Sequence, residues 1–443
     1  MENQLQKKYG LFTAITMVVG IVIGSGIFFK TEAILEATGG SAMIGILSLL
    51  IIGAVMLICS YTFSILATRY EKVNGVIDYA EALVGERYAY YVGYFMAVVY
   101  YPTLTCVLAW VSARYTCELF SLPDPAAGGA CFAIAGFYLT GAFALNSLAP
   151  IAAGKLQVST TVAKLVPLLL VGVIGVASGL RDGTLAANFA APAASGNESQ
   201  LLFSACVSMA FSFEGWIITT TINSELKNAR RNLPIALMAG AAIVVAVYVC
   251  YYLGMTGSLP AGELMSGGSA MAFERLFGRA GATALRVLIV VSCLGTCNGL
   301  MLGCVRGIYS VAARGRGFAP RVFARVDKET NMPANSCIMA LLICSAWLLY
   351  FYLGTLTGRL GPLRFDPSEL TIVTLYGAYI PMFIMMMRRG GLGVFKGRVM
   401  PLLSIGCCAF MLAAAFIGSF TDVCWYLAVF AVIMLTAVFF DRR

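Results

Sequence analysis

The chain has 443 residues, of which 60% are hydrophobic and 12% charged, against about 25% charged in soluble domains. A formal charge of +9 raises the question of nucleic acid, but the basic residues fall mainly in short segments between apolar runs of about 20 residues. That pattern belongs to an all-α integral membrane protein and leaves no soluble domain and no nucleic-acid partner.

Twelve transmembrane spans are predicted, over 11–30, 42–68, 90–117, 131–149, 156–179, 201–223, 235–256, 284–308, 335–354, 369–388, 400–419 and 422–440. An even number places both termini on one side. That side carries 21 Lys and Arg residues and the opposite side 8. The positive-inside rule makes the richer side cytoplasmic, in a cell (inner) membrane, with both termini inside. The first apolar run is too long for a cleavable signal peptide and is followed by further spans.

The first span carries Gly20, Gly24 and Gly26, with Ser25 between the last two. Two readings stand for this stretch. Gly20-x-x-x-Gly24 is a small-residue pattern for close helix packing. A break in the helix at membrane depth would instead expose backbone groups to a cavity or ligand. Residues 69–89, with Tyr79, Glu81 and Glu86, read as a cytoplasmic amphipathic helix. The 14 cysteines are scattered without a C-x-x-C pair and read as small membrane-buried residues; Cys117 and Cys131 flank one external loop, and their pairing stays open.

Lys164 lies about 12 Å from Leu156 along span five, near the bilayer centre, where an ionisable side chain is a functional candidate. Span six places Glu214 and Gly215 at its middle, a costly position for a carboxylate. Spans one and six are five apart, and both are interrupted. That predicts two inverted five-helix repeats, over 11–179 and 201–388, with two further helices over 400–440. Residues 309–334 read as a basic cytoplasmic loop that orients the chain by charge, with binding of anionic lipid headgroups as the alternative.

A broken span offers free N–H groups at one half-helix end, suited to a carboxylate, and free carbonyls at the other, suited to an ammonium. A zwitterionic amino acid matches both. A membrane enzyme would need a nucleophile–base pair or a metal set. With no histidine and no clustered Asp, Glu or Cys, neither an enzyme nor a cofactor is expected.

Several motifs carry a resemblance. They are Gly24-Ser-Gly-Ile-Phe28, Gly75-Val-Ile-Asp-Tyr-Ala-Glu81, Phe211-Ser-Phe-Glu-Gly-Trp216, Glu225-Leu-Lys-Asn-Ala-Arg-Arg-Asn-Leu-Pro234 and Arg314-Gly-Arg-Gly-Phe-Ala-Pro320. In this order the chain resembles the amino acid–polyamine–organocation superfamily, in particular L-type transporters and their bacterial serine/threonine and alanine/serine/cysteine exchanger relatives. The resemblance implies a leucine-transporter-like fold and alternating access. It implies that the amides of Ser25, Gly26 and Ile27 hold a substrate carboxylate. The amine would go to the carbonyls of Val22 and Ile23 with Phe211, Ser212 and Glu214, and Phe211 would also act as a lid. It further implies that Lys164 stands in for the sodium ion of sodium-coupled relatives. Two positions depart from the family pattern: Glu214, where the relatives have Gly or Asp, and Asn228-Ala229 in place of Asn-Pro.

The expected activity is sodium-independent exchange of small or medium neutral L-amino acids. Proton-coupled symport, or antiport of a charged amino acid or polyamine with its decarboxylation product, stays open. The chain is expected to act alone as a monomer among membrane lipids, without an obligate partner chain.

Overall fold

The computed structural model describes residues 7, 9–24, 26–70, 75–193, 197–330, 332–418 and 420–441. Ser25 of the first break lies outside the described residues, as do Lys8, Lys72, Arg442 and Arg443 of the charge count. So do the side chains of Lys30, Phe211 and Glu225.

The described chain is helical. Among the described residues ten helices are long and apolar enough to cross a membrane: α3 (Ala42–Arg69), α5 (Glu86–Leu119), α6 (Gly129–Leu148), α7 (Pro150–Asp182), α10 (Ala229–Ser258), α11 (Ala261–Ala313, spanning from Met271), α13 (Ala334–Leu356), α14 (Pro367–Arg389), α15 (Phe395–Gly418) and α16 (Phe420–Asp441). Between them lie the short elements α1 (Leu11–Val22), α2 (Gly26–Ala37), α4 (Gly75–Leu83), α8 (Thr184–Ala190), α9 (Glu198–Ala210) and α12 (Pro320–Phe323). The predicted first and sixth spans are the two that no single helix fills. The first divides into α1 and α2. The sixth divides into α9, a 3₁₀ turn over Phe211–Phe213, and a second 3₁₀ segment over Trp216–Glu225.

Large apolar side chains remain exposed along the long helices, among them Leu50, Val173, Leu342 and Leu435. A helix that is apolar all round suits hydrocarbon outside and packing inside. Where helices meet closely, glycine makes the contact possible. A Cβ on Gly175 of α7 would lie 2.2 Å from the Gly254 carbonyl oxygen of α10, and one on Gly179 would lie 2.5 Å from the Gly257 Cα. This seam holds α7 against α10 by backbone approach, the usual route to helix association in lipid. With α3 and α11 it forms the frame around the two broken segments.

Two expectations need correction, and one open question is answered. The 69–89 segment does contain a helix, α4, but it is not a surface helix. Val76, Ile77, Asp78, Tyr79, Ala80 and Leu83 are buried, and a Cβ on Gly75 would strike Thr220 of the 3₁₀ segment. Arg314, at the C-cap of α11, pairs with buried Asp78 and with Glu81 at 3.0 Å. A charge inside the fold, not solvent, thus covers the polar face of α4. The basic segment 309–334 begins inside α11, which runs to Ala313, and contains α12. Cys117 and Cys131 are both buried free thiols. Asn228 takes a left-handed φ of 48° immediately before α10. The departure from Asn-Pro at this point therefore falls on a helix start.

Candidate functional site: two facing helix breaks

α1 ends at Val22 because Ile23 leaves the helical region, with φ −74° and ψ 79°. The last carbonyls of α1 lose their intrahelical partners, and the structure supplies others. The Lys164 ammonium, buried on α7, donates to the Gly20 carbonyl at 2.6 Å, to the Ile23 carbonyl at 2.5 Å and to Thr296 Oγ1 of α11 at 3.2 Å. Thr296 Oγ1 also lies 3.2 Å from the Gly20 carbonyl, and Ser292 Oγ donates to the Gly24 carbonyl at 3.3 Å. A cation at the carbonyl end of a helix meets the negative end of its dipole. These charge-assisted bonds offset the cost of burying the ammonium. Lys164 thus ties α7 and α11 to the first break.

On the other side of the break, α2 begins at Gly26. The N–H groups of Gly26 and Ile27 fall in its first turn, where no intrahelical acceptor exists. Gly26 is also the point where the two breaks touch: a Cβ there would lie 2.9 Å from the Ser212 Cα and 2.8 Å from its Oγ. Gly215, at φ 99°, turns the chain after Glu214, and a Cβ there would lie 2.7 Å from Ile21 Cγ2. Glycine is required at both positions, for closeness at Gly26 and for both closeness and a left-handed φ at Gly215.

Tyr248 of α10 joins the breaks a second time. Its hydroxyl lies 2.9 Å from the Val22 carbonyl oxygen and 2.8 Å from that of Ser212. One hydroxyl proton is shared between two helix-end carbonyls. Glu214 is buried and accepts a hydrogen bond from the Tyr100 hydroxyl at 2.6 Å. Tyr100 closes a π-helical turn, Met96–Tyr100, inside α5. Such turns recur at functional sites because the widened turn displaces a side chain from the regular helical face.

Between the breaks lies a cavity of about 20 Å³ lined by Val22, Gly24, Gly26, Glu214, Gly215 and Thr296, with Leu104, Leu108 and Leu300 as apolar walls. It has room for roughly one water molecule. The ends of the molecule around it are drawn together. The Tyr9 carbonyl accepts from the Lys227 amide at 2.9 Å on one side, and Glu32 of α2 accepts from the Ser269 amide at 2.7 Å on the other. Among the described residues no group of three or more His, Cys, Asp or Glu side chains is placed to hold a metal ion.

The predicted site residues Val22, Ile23, Gly26, Ile27, Ser212 and Glu214 are thus brought into one place, with Lys164 behind them. The Val22 carbonyl already accepts two hydrogen bonds, from the Tyr248 hydroxyl at 2.9 Å and the Gly24 amide at 2.8 Å, whereas the Ile23 carbonyl accepts from Lys164 and has a second lone pair to offer a ligand. Tyr248 was not foreseen. Its only sequence signal is a hydroxyl in the middle of an apolar span, where it must find a partner. Thr296 and Tyr100 were visible only as parts of polar stretches in spans eight and three.

A sequence model of the amino acid permease family matches residues 9–440. The chain is 28% identical over 317 residues to the serine/threonine exchanger SteT of Bacillus subtilis (strain 168), covering 71% of this chain and 70% of that one. It is 27% identical over 337 residues to the human cystine/glutamate transporter, covering 75% and 66%. The human b(0,+)-type amino acid transporter 1 is 26% identical over 358 residues, covering 78% and 71%. The chain therefore spans about two thirds or slightly more of the length of these relatives. With the family match running over nearly its whole length, the protein belongs to the amino acid permease family of multi-pass membrane amino acid transporters.

Proposed function

We propose that the protein exchanges small or medium neutral L-amino acids across the cell membrane by alternating access, without sodium. The ten continuous helices and the two divided spans make twelve crossings. We read them as repeats over 11–179 and 201–388, with the helices over 400–440 outside the core. Both termini are cytoplasmic by the charge asymmetry. The substrate carboxylate sits on the amides of Ser25, Gly26 and Ile27. The ammonium goes to the carbonyl end of α1 at Val22 and Ile23, where the Val22 carbonyl must give up its Gly24 or Tyr248 hydrogen bond to take part, together with Ser212 and Glu214, and Phe211 covers the site. The names of the relatives support amino acids as the substrate class.

The observation that carries the sodium-free reading is the Lys164 ammonium on the Gly20 and Ile23 carbonyls and on Thr296. A fixed cation already occupies the carbonyl end of the broken helix, where a coupling sodium would otherwise bind. Purified protein in proteoliposomes, preloaded with unlabelled amino acid, tests this. Uptake of labelled amino acid is expected to be the same in sodium and in choline media. Strict sodium dependence would refute the proposal.

Glu214 favours a second reading. A buried carboxylate facing the cavity, with a tyrosine hydroxyl as its side-chain partner, is also placed to carry a proton. Accumulation driven by a pH gradient into vesicles without internal amino acid would select symport. Strong stimulation by internal amino acid selects exchange.

A further inference from the structure

A second polar cavity, of about 50 Å³, lies between α1, α7 and α11, on the face that carries Tyr9, Lys155 and Met332. By the charge asymmetry this is the cytoplasmic face. Its polar lining includes Asn146, Gln157, Asn298 and Arg306, and the volume accepts roughly four waters. Gln157 is the unexplained group. It is only 5% exposed, yet neither its amide oxygen nor its amide nitrogen has a hydrogen-bond partner among the described residues. Buried amides in native proteins are nearly always satisfied, so an amide open at both ends calls for a ligand or ordered water.

The surroundings hold this amide in place. A Cβ on Gly20 of α1 would lie 3.1 Å from Gln157 Nε2, and one on Gly299 of α11 would lie 3.1 Å from Gln157 Oε1. Two glycines therefore make room for the amide between α1 and α11. Asn146 Nδ2 donates to Asn298 Oδ1 at 2.8 Å, and Asn298 Nδ2 donates to the Ala153 carbonyl at 3.1 Å. The neighbouring amides are thus spent on locking α6, α7 and α11 together. Gln157, Thr160, Thr161 and Lys164 share one face of α7 at helical spacing, so a polar stripe runs about 10 Å from the cavity to the first break.

We propose that this cavity is a second amino acid site, a cytoplasmic station that receives the outgoing substrate before it reaches the breaks. The inference rests on the exchange reading above. The guanidinium of Arg306 and the Gln157 Nε2 donor provide for a carboxylate, and Gln157 Oε1 provides for the ammonium. Lying on the cytoplasmic side of the breaks, the site meets internal substrate first and so sets the concentration dependence for internal substrate alone.

The test uses right-side-out proteoliposomes, internal L-serine varied against fixed external labelled L-serine, and then the reverse. Gln157→Met keeps the side-chain volume and removes both hydrogen-bonding atoms. It is expected to raise the internal half-saturation about tenfold, while the external value changes by less than about twofold. Arg306→Gln is expected to shift the same side only. The thermal midpoint of Gln157→Met should equal or exceed that of the wild type, because an unsatisfied buried amide is gone. Unchanged half-saturation on both sides would mean that the cavity holds water only, and would overturn the proposal. Equal shifts on both sides would also overturn it, by placing Gln157 in the central site. Failure of the wild type to exchange any amino acid would instead remove the exchange reading and this inference with it.

Discussion

The two helix breaks face each other, yet they are held by different means. The first has no charged side chain of its own at the interruption. Its carbonyl end is stabilised by an ammonium from α7 and by hydroxyls from α10 and α11, elements that follow it by more than a hundred residues. The second carries its charge within the interruption, as Glu214, and fixes it through Tyr100 of α5. The first break is therefore sensitive to how neighbouring helices stand, while the second is sensitive to what occupies the cavity. That division suits a transporter: one break can report substrate occupancy to the frame, and the other can read the substrate.

The comparison is broken most severely by Lys164→Ala. This substitution leaves the Gly20 and Ile23 carbonyls and Thr296 without their cation, and a buried acceptor left unsatisfied costs about 1–3 kcal/mol. With two carbonyls affected, exchange is expected to fall about a hundredfold, measured as counterflow in proteoliposomes. Exchange at the wild-type level would show that the tether is only packing.

Glu214→Gln keeps an acceptor for the Tyr100 hydroxyl but removes the charge. If the carboxylate meets the substrate ammonium, half-saturation is expected to rise about tenfold on both sides of the membrane. Unchanged half-saturation, with loss of any uptake driven by a pH gradient, would move Glu214 from substrate binding to proton transfer.

Tyr248→Phe is the smallest change, one hydroxyl shared between the Val22 and Ser212 carbonyls. A net loss of about 1 kcal/mol corresponds to roughly a fivefold fall in exchange, with a small drop in thermal midpoint. Combined with Lys164→Ala it should cost less than the sum of the two, because both act on the carbonyl end of α1. Full additivity would show that the two contacts hold independent elements.

Much of this site was legible in the sequence, for a specific reason. Glycines clustered in one span, a carboxylate followed by glycine in another, and a lysine at bilayer depth are each costly in lipid. Residues that cost this much in lipid are retained where they serve a function. Tyr248 and Thr296 were not legible, since a hydroxyl in an apolar span is tolerable anywhere that it finds a partner. Their partners lie 226 and 276 residues away along the chain. The α4 segment was misjudged for a similar reason. Its alternation of apolar and acidic residues suits a water-facing helix equally well, and only the placement of Arg314 against Asp78 and Glu81 shows that protein covers that face.

By itself the sequence determined that the chain crosses a membrane repeatedly, that its first and sixth apolar runs are interrupted, and that a buried cation and a buried acid accompany them. Those are local properties, written in hydrophobicity, glycine and charge. Only the tertiary structure decided that the two interruptions touch at Gly26 and Ser212, that Lys164 serves the first break and Tyr100 the second, and that Gly175 and Gly179 pack helices while Gly26 and Gly215 let two broken chains approach. Glycine permits close approach wherever it stands, and which backbone comes close is set by the packing of helices far apart in sequence.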